Sequence, residues 1–201
     1  MTAWTASDVD ALLRVMDPAD DETGGGTASA AAGAMAAGLA GMVARLSVGR
    51  EGMEEEGHYR AIDGEARELT EALLRGGRDD SDAFGAVMHA FKLPKGTDVE
   101  RAERSRAIQE GMVEAARVPL ENAERCLKVL DLIGRLEGRS NPNAASDLAV
   151  ARALAGTALD GCLANVLVNV SSIKDEATAS ALASRADDLR DAARRRRADH
   201  G

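Results

Sequence analysis

Aromatic residues are nearly missing from this chain: among 201 residues there are two phenylalanines, one tyrosine and one tryptophan. The core must therefore be built from Leu, Val, Ile, Met and Ala, and little aromatic surface is left on which nucleobases could stack. Positive charge is also short. Lys and Arg number 25 against 34 Asp and Glu, and the resulting net charge of −9 argues against nucleic-acid partners. Cysteine is limited to Cys126 and Cys162. They are far apart, match no metal or redox spacing, and read as reduced core residues of a cytoplasmic protein. The first residues lack the basic and apolar regions of a signal peptide. No alternating pattern of any length is present, which excludes a sheet. A single Glu-x-x-His spacing, Glu55 to His58, falls short of the two that a di-iron bundle needs, so no metal is expected. No Gly-x-Ser-x-Gly elbow exists for a serine nucleophile.

What is present is small and apolar. Gly24-Gly25-Gly26-Thr27-Ala28-Ser29 precedes a run of Ala, Gly, Met, Leu and Val that reaches Leu46. The run is about as long as a membrane span, but its Gly/Ala content fits a packed soluble helix better, so no membrane contact is expected. Thr27 is the expected N-cap, and the glycines before it form an anion-binding loop or, alternatively, a flexible linker. Gly33, Gly38 and Gly41 in the helix imply close approach to another helix, because each costs about 1 kcal/mol relative to Ala.

The other segments follow the helical period. Ser7 to Met16 is a short amphipathic helix with Val9, Leu12, Leu13 and Met16 on one stripe. Glu54 to Arg75 is a second segment, stopped by Gly76-Gly77. Asp80 or Ser81 caps a shorter helix carrying Phe84, Val87, Met88 and Phe91, which ends near Lys92 because Pro94 follows. Thr97 opens the longest helix, to about Leu136, with a kink or break at Pro119. Gly138 to Pro142 is a turn, and Asn143 starts a helix to about Ile173. Asp175 to Arg197 is the last helix, and its four terminal arginines read as a solvated tail that complements the helix dipole. The expected architecture is all-α: a bundle of long helices with short connections, one domain over 1–201 with 1–6 and 191–201 as loose ends.

Three stretches carry candidate chemistry. Asn141-Pro142-Asn143-Ala144-Ala145-Ser146-Asp147 sets polar residues at the mouth of an apolar helix. Asp147 and Asn165 are about five turns apart and share a face, with Asn169 one turn further and about 40° around. Asp147 is either a site residue or a helix-end charge favoured by the dipole. Leu93-Pro94-Lys95 fixes a lysine that can act as a positioned cation or, if desolvated, a proton donor; a loop lysine is otherwise only solvated.

In this order, the Gly24–Ser29 loop with its Ala/Gly helix, Asp82-Ala83-Phe84, Leu93-Pro94-Lys95, Val118-Pro119-Leu120, the Asn141-to-Asp147 stretch and Asn165-Val166-x-Val168-Asn169 together resemble the cyclodeaminase/cyclohydrolase family of folate enzymes. The resemblance runs from about residue 7 to 190. Thr23 and Thr27 depart from the proline and serine usual in that family's glycine motif. The resemblance implies an all-helical, homodimeric protein that binds tetrahydrofolate derivatives without a metal or redox cofactor. It implies one of two activities: hydrolysis of 5,10-methenyltetrahydrofolate to 10-formyltetrahydrofolate, or cyclisation of 5-formiminotetrahydrofolate with loss of ammonia. A chain of this length with no transferase domain looks more like the cyclohydrolase. A non-catalytic folate-binding helical protein is the competing reading.

On this resemblance the catalytic candidates are Asp147 or Asp82 as the carboxylate that takes the proton from water, and Lys95 as the donor to the leaving nitrogen. The substrate-binding candidates are Gly24, Gly25, Gly26 and Thr27 for a carboxylate or a polar edge of the folate, and Asn143, Asn165 and Asn169 for the pterin. An anionic folate on an acidic protein also requires a local cluster of cations, with Arg45, Lys92 and Lys95 as possible members.

Overall fold

A computed structural model describes residue 19 and residues 23–198. The expected helix from Ser7 to Met16 lies outside the described residues. Five α-helices account for nearly all the rest: α1 (Gly25–Ser47), α2 (Glu56–Lys92), α3 (Asp98–Leu136), α4 (Ala145–Val170) and α5 (Glu176–Ala198), with a 3-10 turn at Pro142–Ala144.

The side-chain contacts fix the topology. Thr27 meets Asp80 and Arg45 meets Asp63, so α1 and α2 are antiparallel. Arg104 meets Phe91 and Arg135 meets Glu65, so α2 and α3 are antiparallel. Asn169 meets Ala115 and Arg152 meets Glu137, so α4 runs back along α3. Asn141, just ahead of α4, donates to Leu46 at the end of α1, while Gly25 at its start lies beside Asn165. The result is an up-down-up-down bundle in which α4 closes back onto α1. Helix α5 lies outside it, tied to α3 by Arg185–Glu124 and Arg196–Asp131. Its Ala193 is fully buried and Arg196 pairs with Asp131, so within the segment expected to be loose from 191 onward the helix is docked as far as Arg196.

The sequence signals at the turns act as expected in several places. Thr97 caps α3 through a reciprocal box with Glu100, Thr97 Oγ1 accepting from the Glu100 N–H and the Glu100 carboxylate from the Thr97 N–H. Gly49, Gly52 and Gly138 adopt φ of 68°, 79° and 67°, the left-handed region that glycine tolerates. Helix α1 and the stretch Pro142–Val170 are each long and apolar enough to cross a membrane by length and composition. Both contribute residues to the bundle core, including Ala30, Ala37, Ala40, Ala151, Ala158 and Leu163.

Other expectations are corrected. Gly76-Gly77 does not stop a helix. Helix α2 runs unbroken through it, so Asp80 and Ser81 are mid-helix residues rather than caps. These glycines serve close packing: a methyl group on Gly76 would overlap the Asn122 side chain, and one on Gly77 would touch Ala30 at 3.5 Å. Thr27 is not the N-cap of α1. The helix starts two residues earlier, with Gly24 as N-cap and no side-chain cap of its own, and Gly24 has φ of −130°. Pro119 does not break α3, which is one helix from Asp98 to Leu136. Asn143 belongs to the 3-10 turn, and α4 proper begins at Ala145 and ends at Val170.

The glycines of α1 divide by environment. A Cβ on Gly33 would lie 2.8 Å from Cys126 Sγ and one on Gly41 3.1 Å from Ala66 Cβ, whereas Gly38 faces open space. Close approach through Gly33 and Gly41 is therefore within the chain. Gly76→Ala is expected to cost about 1–3 kcal/mol by overpacking against Asn122. Gly38→Ala is expected to stabilise by up to about 1 kcal/mol through helix propensity alone. Urea unfolding of the two variants beside the wild type checks both signs.

Candidate functional site

The amino terminus of α1 leaves unpaired N–H groups, as every helix does. Gly24, the N-cap, has no side chain with which to cap them. The partner comes from α2. The Asp80 carboxylate faces Thr27, with Thr27 Oγ1 3.3 Å from Asp80 Oδ2 and hydrogen bonding also from the Thr27 backbone. A methyl group on Gly26 would overlap this carboxylate, so glycine at that position is what lets Asp80 reach the helix end. Thr27 Oγ1 is also 3.0 Å from Ser81 Oγ and 3.3 Å from the Gly77 carbonyl. One hydroxyl proton serves one acceptor at a time. Ser81 can thus donate to Thr27 while Thr27 donates to Asp80.

Burial pushes the Asp80 carboxyl above the ordinary aspartate value of 3.8, and the hydrogen bonds from Thr27 oppose but do not cancel the effect. Two features combine here: a carboxyl that favours its proton more than a solvated one, and a helix terminus that favours its charge. That combination suits a group that must both accept and return a proton.

Residue Asn165 is beside this cluster. A Cβ on Gly25 would sit 3.5 Å from Asn165 Nδ2, which donates to its own helix at the Gly161 carbonyl, 2.9 Å away. Gly161 in turn has no room for a side chain, because Ser29 occupies that space. Gly25, Gly26, Thr27 and Asn165 are therefore brought together, with Gly24 as the cap preceding them.

The remaining expected residues lie elsewhere. Asp147 shares a face of α4 with Asn165, but 18 residues of helix put it about 27 Å away along the axis. It sits at the opposite end of the bundle, with Asn143, whose side chain is exposed. There Asn141, buried, ties three pieces together. Its N–H donates to Ser47 Oγ at 2.8 Å, its Nδ2 to the Leu46 carbonyl, and its Oδ1 accepts from the Asn143 N–H. Asp82 is exposed on α2, turned about 200° from Asp80. Lys95 is exposed in the α2–α3 connection, where its carbonyl accepts from Arg101. The expected cation cluster is not assembled, since Arg45 pairs with Asp63 at the far end of α1.

Asn169 has a clear structural task. Pro119 lacks the N–H that would have bonded the Ala115 carbonyl four residues back. Asn169 Nδ2 donates to that carbonyl at 2.7 Å. The proline in α3 and the asparagine in α4 are a matched pair.

Asp80 is the residue that sequence reasoning missed as a site candidate. The available signal was an acidic side chain four residues after Gly76, in register with a helix start that has no cap. Cys126 and Cys162 also meet despite their separation. The Cys126 thiol and burial hold the Cys162 thiol far above its ordinary value, so it stays protonated and inert. Among the described residues no group of three His, Cys, Asp or Glu is placed to hold a metal ion.

Comparison with known proteins gives concordant results. A family model described as formiminotransferase-cyclodeaminase matches residues 8–188. A methenyltetrahydrofolate cyclohydrolase from Methylorubrum extorquens is 38% identical over 78% of this chain and 76% of its own. A formimidoyltransferase-cyclodeaminase from Rattus norvegicus is 32% identical over 83% of this chain, which spans only 31% of that longer protein. The crystal structure of a formiminotetrahydrofolate cyclodeaminase from Thermotoga maritima superposes with a TM-score of 0.81 at 25% identity, covering 96% of this chain and 91% of the other.

A raised pKa in the folded state means that ionising Asp80 costs stability. Its contribution is fully favourable below 3.8 and is lost as pH rises through the folded-state value. Asp80→Asn removes the charge and keeps an acceptor for Thr27. At pH 7 the variant is expected to melt above the wild type, and the gap should close as pH falls below about 4, where both side chains are neutral. Thermal melts from pH 3 to 8 test this, and a variant that melts lower at pH 7 would show that the charged cap outweighs its burial.

Proposed function

Because the chain belongs to the formiminotransferase-cyclodeaminase family, we propose that it is a methenyltetrahydrofolate cyclohydrolase, which hydrolyses 5,10-methenyltetrahydrofolate to 10-formyltetrahydrofolate. The observation that carries this reading is the match to the Methylorubrum cyclohydrolase across most of both chains. In this reading the reaction uses no metal or redox cofactor and the protein works in the cytoplasm as a homodimer. Half-exposed Met35 and Leu46 flank Gly38 on the outward face of α1, and this uncovered face supports a helix–helix contact between copies. Two free, buried cysteines fit a reducing compartment.

Hydrolysis begins when water adds to the cationic carbon between two ring nitrogens. A carboxylate takes the proton that water loses, and ring opening requires a proton on the departing nitrogen. Asp80 suits both steps: it accepts one proton from water and returns it to the departing nitrogen, so the group is regenerated, while the second water proton leaves to solvent as the hydroxyl of the adduct becomes the formyl carbonyl. Its negative charge also stabilises the cation before attack. Thr27 and Ser81 orient the carboxylate through the hydroxyl chain. Asn165 and the first turn of α1 supply polar contacts for the heterocycle. Asp147, Asp82 and Lys95 are the alternative carriers.

The cyclodeaminase reaction is the second reading. It is favoured by the Thermotoga structural match and by the rat relative's name. Both reactions proceed through the same tetrahedral carbon with ammonia in place of water as the exchanged group, so one carboxylate serves either.

Absorbance assays with methenyl- and formiminotetrahydrofolate in parallel separate the two readings. Asp80→Asn is expected to slow turnover by about 100-fold or more, while Asp82→Asn and Asp147→Asn keep near wild-type rates. Wild-type turnover in the Asp80 variant moves the proton to one of the other carboxylates. No acceleration by the wild type over buffer removes the cyclohydrolase reading.

A further inference from the structure

Both phenylalanines of the chain are left at the surface, Phe84 41% and Phe91 44% exposed, while Tyr59 is fully buried. In a chain so poor in aromatics, leaving this much apolar area in water runs against the main driving force of folding. The two are not scattered. Ser81, Phe84, Met88 and Phe91 recur at i, i+3, i+7 and i+10, one stripe along the outside of α2, while Ala83, Val87 and Ala90 turn inward. The stripe starts at Ser81, bonded to Thr27, and is therefore continuous with the Asp80 cluster. It runs for about 15 Å at the helical rise. At its far end Arg104 lies over the Phe91 ring, 5.7 Å from the centroid, and donates to the Phe91 carbonyl at 3.1 and 3.3 Å. Lys95 follows four residues after Phe91. Among the described residues neither Arg104 nor Lys95 has a carboxylate partner, although the chain carries a net charge of −9.

We propose that this stripe is the bed for the conjugated body of the substrate. The reacting heterocycle lies at Asp80 and Thr27, the arylamine ring stacks along Phe84, Met88 and Phe91, and the terminal carboxylates meet Arg104 and Lys95. The assignment rests on the folate reading above and extends it to the residues that recognise the unreacting half of the molecule. The order of chemistry along the helix is the argument. A proton carrier and an apolar shelf follow one another over about 15 Å, with Arg104 at the end of the shelf and Lys95 just past the helix. A polar heterocycle, an aryl ring and a carboxylate tail follow one another in the ligand. These two cations, neither paired with a carboxylate, also give an acidic protein a local means of holding an anion. Lys95 becomes a tail contact rather than a proton donor.

The test is equilibrium binding of 5-formyltetrahydrofolate, which does not turn over, and of p-aminobenzoylglutamate, which lacks the heterocycle, to the full chain. Phe84→Ala and Phe91→Ala are expected to weaken both ligands by about tenfold or more and to raise KM with kcat held within about twofold. Arg104→Gln should weaken both ligands in the same sense. Val150→Ala, on the exposed side of α4, should change nothing. Wild-type affinity in both phenylalanine variants overturns the assignment and leaves the cyclohydrolase reading intact. Dissociation of an oligomer by either variant also overturns it and gives the stripe to a second copy of the chain. Analogue binding that depends on the stripe, with no turnover by the wild type, keeps the assignment and removes the activity. A wild type that neither binds nor reacts removes both.

Discussion

The bundle depends on how little side chain α1 carries. Ala30, Ala34, Ala36, Ala37, Ala40 and Ala44 are all buried, and Gly33 and Gly41 sit against Cys126 and Ala66. Helix axes ordinarily pack 8–10 Å apart, as a rough guide, with the spacing set by the residues at the contact. Small residues on α1 bring α2 and α4 in from either side and let α3 reach it across the diagonal. The same economy of bulk at Gly26, Gly76 and Gly161 places polar side chains, Asp80, Asn122 and Ser29, where a methyl group would otherwise stand. Close backbone packing and the polar cluster at the start of α1 are one feature seen from two sides.

Such packing creates a second requirement, because backbone groups in the interior need partners. Three asparagines meet it. Asn122, wholly buried, donates to the Gly76 carbonyl at 3.0 Å and accepts from Arg125. Asn169 fills the acceptor that Pro119 leaves open in α3, and Asn141 joins the end of α1 to the turn before α4. Two of these lie in stretches whose polar residues, read as a sequence, point equally well to a ligand. Their side chains are committed to carbonyl groups of the protein itself, whereas Asn165, whose Nδ2 donates to Gly161 of its own helix, stands beside the first turn of α1.

The all-α class, the order of the helical segments and the ends near Thr97, Pro94 and Gly138 were legible because the apolar period is strong and those residues punctuate it with specific chemistry. Two of the misreadings share one cause. A glycine pair looks the same in sequence whether it ends a helix or admits a neighbour, and only the position of Asn122 decides for Gly76-Gly77. The same ambiguity hid Asp80, which reads as a cap for its own helix and is instead placed to cap another. Asp147 and Asn165 share a face by angle, but periodicity carries no account of rise, so their separation along α4 was easy to overlook.

The order of neighbours around the bundle bears on how the chain collapses. Helices α1 with α2, α2 with α3 and α3 with α4 are joined by short connections, so each pair can form as a local hairpin. The contact of α4 with α1 is different. Asn141 and Ser47, which bond across it, are 94 residues apart. Loop-closure entropy rises only as the logarithm of length, yet it is borne before the contact returns anything. The seam between α1 and α4 is thus the long-range step of an otherwise local topology, and the glycine turn beside Asn165 is completed only when that seam shuts.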